Sequence, residues 1–172
     1  MRFARITYAV IAAGAALWCL TLILPSLLAA SGEPSDRVRS IVEAFYRPVC
    51  HQLDDRSFHF FDVPLAVCSR CASIYFGFLT GTLLFPLFND IRRPVMPGRL
   101  ILAVALAPML ADVAAAMLGF HVSTMIMRAV TGGWFGLLAP FVVLPGAISG
   151  IGQLCVRSVA PLTQPEKGLT DA

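Results

Sequence analysis

Three of the five cysteines and two of the three histidines fall within one stretch, CHQLDDRSFHFFDVPLAVCSRC, from Cys50 to Cys71. Thiolate sulfur and imidazole nitrogen are the donors that a tetrahedral zinc-type ion takes. Cys68 and Cys71 are three apart in CSRC, a spacing that puts two sulfurs on one helix face or in one metal-binding turn. Cys50 and His51 complete a Cys3His set, with His59 or His121 as alternates to His51 because adjacent side chains tend to diverge. A water in the fourth position would make the metal a Lewis acid. The same residues suit thiol–disulfide exchange, since a CxxC beside Arg70 at a helix N-terminus has its thiolate favoured by the dipole and the positive charge. Membrane proteins that pass electrons from thiols to quinone usually use two cysteine pairs. Here the cluster has three cysteines, with Cys19 and Cys155 far from it in sequence. The odd count favours metal, with zinc the expected cofactor, over quinone-linked exchange or a plain structural disulfide.

What must position these residues is a membrane domain. The chain has 172 residues, 58% apolar and 13% charged, against about 25% charged in soluble domains. A net charge of +3 is too slight to suggest a nucleic-acid partner; the expected surroundings are the lipid bilayer. A hydrocarbon core of about 30 Å needs about 20 apolar residues per span. Four such runs occur, at about 6–30, 65–88, 100–118 and 125–148. The first is too long for the h-region of a cleaved signal peptide and is read as a retained helix. The expected fold is all-α: an integral membrane four-helix bundle forming one domain over 1–152, with a Cys/His loop at 48–71 and a polar tail at 153–172.

Between the first two spans, Val38, Ile41, Val42 and Phe45 fall at i, i+3, i+4 and i+7, while Arg37, Arg39, Ser40, Glu43 and Arg47 lie mostly elsewhere. This predicts an amphipathic interfacial helix, either on the membrane surface or packed on the end of the bundle. Arg2, Arg5, Arg92, Arg93 and Arg99 flank the first span and fill the second loop. They predict cytoplasmic N- and C-termini in a multi-pass inner-membrane protein and an external Cys/His loop, although that loop also carries Arg37, Arg39, Arg47, Arg56 and Arg70. With four spans, that loop and the GFHVST turn share one face, so Cys50, His51, His59, Cys68, Cys71 and His121 can meet at one end of the bundle.

Asp112 and Arg128 lie inside the third and fourth spans at similar depth. An unpaired charge at a helix centre costs about 2.5–3.5 kcal/mol, so they are expected to pair with each other or to contact a substrate. Gln52 and Arg56 are candidates for the pocket or for backbone hydrogen bonding, and Tyr75 for a ligand contact or an interfacial aromatic belt. Gly77/Gly81 and Gly132/Gly136 form GxxxG pairs expected to be helix-packing seams. Pro108 and Pro140 are expected to kink their spans, and Trp134 to pack only.

The series CHQ, RSF and VPLAVCSRCASIYFG, followed by Asp112 and by Arg128 with Thr131-Gly132, resembles an uncharacterised family of small bacterial and archaeal membrane proteins. The family pattern is CHQ, RSF and PxxVCxRCxGIYxG, and Ser73 stands where it usually has Gly. The resemblance implies a shared site of Cys50, His51, Cys68, Arg70 and Cys71 but no established activity. The resulting expectation is a Cys/His metal site with Arg56, Arg70, Asp112, Arg128 and Thr131 shaping a polar pocket. Its use is structural, or hydrolytic on a lipid-like substrate with Asp112, Arg128 and Arg70 as catalytic candidates. A scaffold or transporter is the remaining alternative.

Overall fold

The computed structural model describes residues 2–32, 36–52, 56–61, 63–91, 95–96, 98–120 and 122–159. The elements in chain order are α1 (Arg2–Ala30), α2 (Asp36–Tyr46), β1 (Ser57–Phe60), β2 (Val63–Cys68), α3 (Ser69–Phe88), α4 (Arg99–Met117), α5 (Met125–Leu138) and α6 (Pro140–Val159). Four helical stretches are long and apolar enough to cross a membrane: Phe3–Ala30, Ser69–Phe88, Leu100–Met117 and Met125–Ile151. The last comprises α5 and most of α6. Pro140, which lacks an N–H, interrupts the ladder, and Ala139 carries the path across by donating to Phe135 and accepting from Val143.

The helices wear their apolar side chains outward. Phe3, Ile6, Val10, Leu17 and Leu20 of α1 are exposed, while Thr7, Cys19, Leu22 and Ser26 are buried. This is the pattern of helices solvated by lipid, where small and polar groups turn to the helix contacts.

One expected boundary is corrected. The second span does not begin at Leu65: Val63–Cys68 is a strand paired antiparallel with Ser57–Phe60, in register Ser57 with Cys68 and His59 with Pro64. A short apolar run cannot be assigned to helix or strand by periodicity, and here it continues directly into the helix. The hairpin lies at the end of the bundle with α2, where Leu22, Val42, Tyr46, Cys50, Leu65, Ala66, Val67 and Ala72 form a buried cluster.

The two expectations for α2 merge. Val42 and Tyr46 are buried against the bundle, while Ile41 and Phe45 on the same stripe remain exposed, as an interfacial helix requires. Tyr46 is fully buried, and its hydroxyl lies 2.7 Å from Thr21 Oγ1 and 3.3 Å from the Trp18 carbonyl.

The tightest helix contact joins α3 to α5. A Cβ on Gly77 would lie 2.6 Å from the Gly133 carbonyl oxygen, and one on Gly132 would lie 2.7 Å from that of Arg70. Hypothetical Cβ atoms on Gly81 and Gly136 would collide with the carbonyls of Leu137 and Ile74. Only glycine lets the two backbones approach this closely. Even a Cβ added to Gly133 would lie an ordinary 3.8 Å from the Ser73 Cβ, so the Ser73 side chain fits the seam.

Two prolines leave carbonyls that neighbouring helices satisfy. Pro108 removes the N–H that would bond to Val104, and Trp134 Nε1 donates to that carbonyl at 3.1 Å. Pro86 does the same to Thr82, whose carbonyl accepts from the Tyr8 hydroxyl at 3.2 Å. Trp134 therefore does more than pack: in lipid no water is available to take its place.

Candidate functional site

The short connections set the site. Val49 and Cys50 close α2 by donating their N–H groups to Tyr46. Gln52 then turns the chain with φ at +51°, a conformation costly for a residue with a Cβ. Its side chain holds that turn, donating to the carbonyls of Glu43 at 2.7 Å and Ala66 at 2.9 Å. Cys50 is thereby placed against the end of β2, where its sulfur accepts the Cys68 N–H at 3.2 Å. Cys71 follows within the first turn of α3.

The sulfurs of Cys50, Cys68 and Cys71 all lie within 4.8 Å of one another. A tetrahedral zinc ion bound by sulfur at about 2.3 Å sets its ligands roughly 3.8 Å apart, so small side-chain adjustments suffice to enclose an ion. Cys50 is buried and the other two are half-buried. The N–H bond to Cys50 is the kind of support that orients a thiolate ligand. Cys68 is pulled down to about 5, first by the hydrogen bond from the Cys71 thiol and against the opposing effect of burial. Further hydrogen bonds from the Cys71 backbone, the Cys50 side chain and the Arg70 backbone act in the same direction. The cluster therefore favours a negative charge on Cys68.

All three cysteines line a cavity of about 420 Å³. Its other walls are Val49, His51, Arg56, Arg70, Val113, Ala116, Met117, Ser123 and Arg128. The loop, the hairpin and the ends of α3, α4 and α5 thus converge on one chamber.

Asp112 does not pair with Arg128. Its ion-pair partner among the described residues is Arg70, with the Asp112 side chain only 2% exposed and that of Arg70 22%. Ser123 donates to the same carboxylate oxygen at 3.0 Å and accepts from Arg70 at 3.4 Å. The reason is rotational: the glycine seam sets which face of α3 meets its neighbours, and this face carries Arg70. Arg128 is half-buried on the cavity wall, and among the described residues its side chain has no hydrogen-bond or ion-pair partner.

The remaining candidates are distributed around this chamber. His51 is exposed on its rim and also borders a second cavity of about 460 Å³, with Gln52, Arg39, Glu43 and Arg47. His59 is exposed on β1 and is not part of the three-sulfur group, while His121 lies outside the described residues. Tyr75 lines a different, apolar groove with Ile11, Gly14, Ala15, Trp18 and Phe78. The Thr131 hydroxyl is spent on the Met127 carbonyl at 2.8 Å. Ser123 was absent from the sequence expectation; its place in the turn after α4, on the same face as the Cys/His loop, was the available signal.

The motif residues now have separate tasks. In CHQ, Cys50 joins the sulfur cluster, His51 borders the cavity and Gln52 holds the turn. In RSF, Arg56 reaches the cavity, Ser57 pairs with Cys68 and Phe58 packs on the buried cluster.

Residues 50–142, just over half of the chain, match the model of the family described as "Predicted membrane protein (DUF2085)". The matched segment runs from the first cysteine of the site into α6, so it contains every cavity-lining residue except Val49. "Uncharacterized protein MJ1492" of Methanocaldococcus jannaschii is 33% identical over 132 residues, covering 75% of this chain and 85% of that protein. No solved structure gives a significant match. Four candidate spans, the motif-built site and these two likenesses converge: the chain belongs to the DUF2085 family of membrane proteins.

Proposed function

We propose that this protein is a membrane metalloprotein that holds a zinc-type ion on Cys50, Cys68 and Cys71. The carrying observation is that three sulfurs within 4.8 Å of one another all border one cavity. Three protein ligands with an accessible fourth position are the arrangement of a catalytic zinc site, whereas structural sites are usually closed by four. His51, which borders the same cavity, is the candidate for closing it, and its exposure favours an exchangeable role. When bound, the ion supplies a Lewis acid, suited to hydrolysis of a lipid-like molecule entering from the membrane face. In this reading Arg70, positioned by Asp112 and Ser123, and Arg128 orient that molecule. The arginines flanking the first span and in the second loop support an inner-membrane bundle with cytoplasmic termini and the site at the extracytoplasmic end.

A second reading draws on the lowered Cys68 thiol beside Cys71. Forming a disulfide from the Cys68 thiolate and the Cys71 thiol would release two electrons and one proton, which a quinone takes up with a second proton from water to become quinol. Purification without reductant or chelator, followed by metal analysis and thiol titration, separates the two. One zinc per chain, lost in Cys68→Ser and Cys71→Ser, is expected. A metal-free protein with a quinone-sensitive Cys68–Cys71 disulfide overturns the metal reading.

A further inference from the structure

Arginine side chains border the cavity beside the sulfurs. Arg56, Arg70 and Arg128 border it, while Asp112 is the acidic partner held against Arg70. An ion of charge two on three thiolates carries one net negative charge. Among the described residues, Arg128 faces this space with its positive charge unpaired. The backbone adds to it. The chain enters α3 and α5 from the same end, and their glycine seam holds the two N-termini side by side. Each such end carries roughly half a positive charge.

Two further features say what kind of anion this chamber suits. Arg70 Nε is buried and has no hydrogen-bond partner, although the guanidinium is fixed at its other end by Asp112 and Ser123. Arg128 faces the same space from α5. Guanidinium groups present planar donor forks matched to the oxygens of phosphate. Val113, Ala116 and Met117 of α4 add an apolar part to the cavity wall. An anionic head with an apolar remainder matches both parts.

We infer that this cavity binds a phosphate-type oxyanion between Arg70 and Arg128, adjacent to the three cysteine sulfurs. The inference deepens the metal-site reading by giving its substrate class, and it rests on that reading for the metal centre beside the anion. A lipid headgroup and free phosphate share this chemistry. Arg128 is a binding residue here, while Asp112 and Ser123 act through Arg70 as positioning residues.

The test uses the full-length protein in neutral detergent, with zinc content measured on every sample. Binding is followed for inorganic phosphate and for short-chain phosphatidic acid, with chloride and the matching diacylglycerol as controls. Arg128→Gln is expected to keep its metal and its fold while losing at least tenfold in affinity. Arg128→Lys is expected to recover part of that loss, because the charge returns without the fork. Binding of phosphatidic acid alone identifies a lipid headgroup; equally tight inorganic phosphate identifies a soluble ligand. A zinc-loaded protein that binds neither above its control, or an Arg128→Gln variant that binds as wild type, overturns the inference. Phosphate binding by a protein free of metal would overturn the metal reading while leaving the Arg70–Arg128 site standing.

Discussion

Arg70, on the first turn of α3, closes an ion pair on the buried carboxylate of Asp112 in α4, and Arg70 also lines the cavity that holds the three cysteines. Removing one member leaves the other charged at a site poor in water, a loss of about 3–5 kcal/mol for a buried pair. Asp112→Asn should therefore lower the melting midpoint in detergent sharply. Arg70→Gln combined with Asp112→Asn should recover part of the loss. A double variant no better than the single one would count against the pair as the cause.

Metal removal should loosen one end of the molecule. The three sulfurs join the turn after α2, the end of β2 and the start of α3, so an ion among them couples three segments. Chelation is expected to lower the melting midpoint and to expose Cys50, now buried, to alkylation. Zinc addition should reverse both changes.

In the metal-free protein Cys68 should stay reactive in mild acid. Its folded value, about 5, lies below the ordinary thiol value of about 8.5. The thiolate's contribution to stability is thus complete above about 8.5, declines as pH falls and is gone below about 5. Alkylation of Cys68 should be nearly flat from pH 8 down to about 6 and drop through about 5. A midpoint near the ordinary thiol value would refute the hydrogen-bonded thiolate.

Trp134→Phe should cost about 1–3 kcal/mol, because it leaves the Val104 carbonyl without a partner inside the bundle. Tyr8→Phe should act likewise through Thr82, though less where that edge meets water. Thermal unfolding of the two variants measures both costs. Parity with wild type would mean that the proline-freed carbonyls find other donors.

Gly136→Ala should separate α3 from α5, since its new Cβ would meet the Ile74 carbonyl. A loss of about 1–3 kcal/mol is expected for such overpacking. Gly14→Ala is the control: nothing lies within 4 Å of its Cβ position, and alanine gains up to about 1 kcal/mol in a helix. Equal effects at the two positions would remove the seam as the explanation.

The sequence by itself determined the lipid environment, the four spans, and the gathering of Cys50, Cys68 and Cys71 at one end. Span length follows from bilayer thickness, and an even number of crossings returns the relevant loops to one face. The amphipathic stripe from Val38 to Phe45 and the glycine pairs were legible because helical periodicity is local. Tertiary structure decided the rest. Val63–Cys68 became a strand because Ser57–Phe60 was there to pair with it, a contact invisible in an apolar run that flows into α3. Asp112 paired with Arg70 and not with Arg128, although depth along the spans made the latter equally suitable. Depth is read from residue number, but the face a side chain shows depends on the rotation of its helix, and close backbone contact at Gly132 and Gly136 sets that rotation.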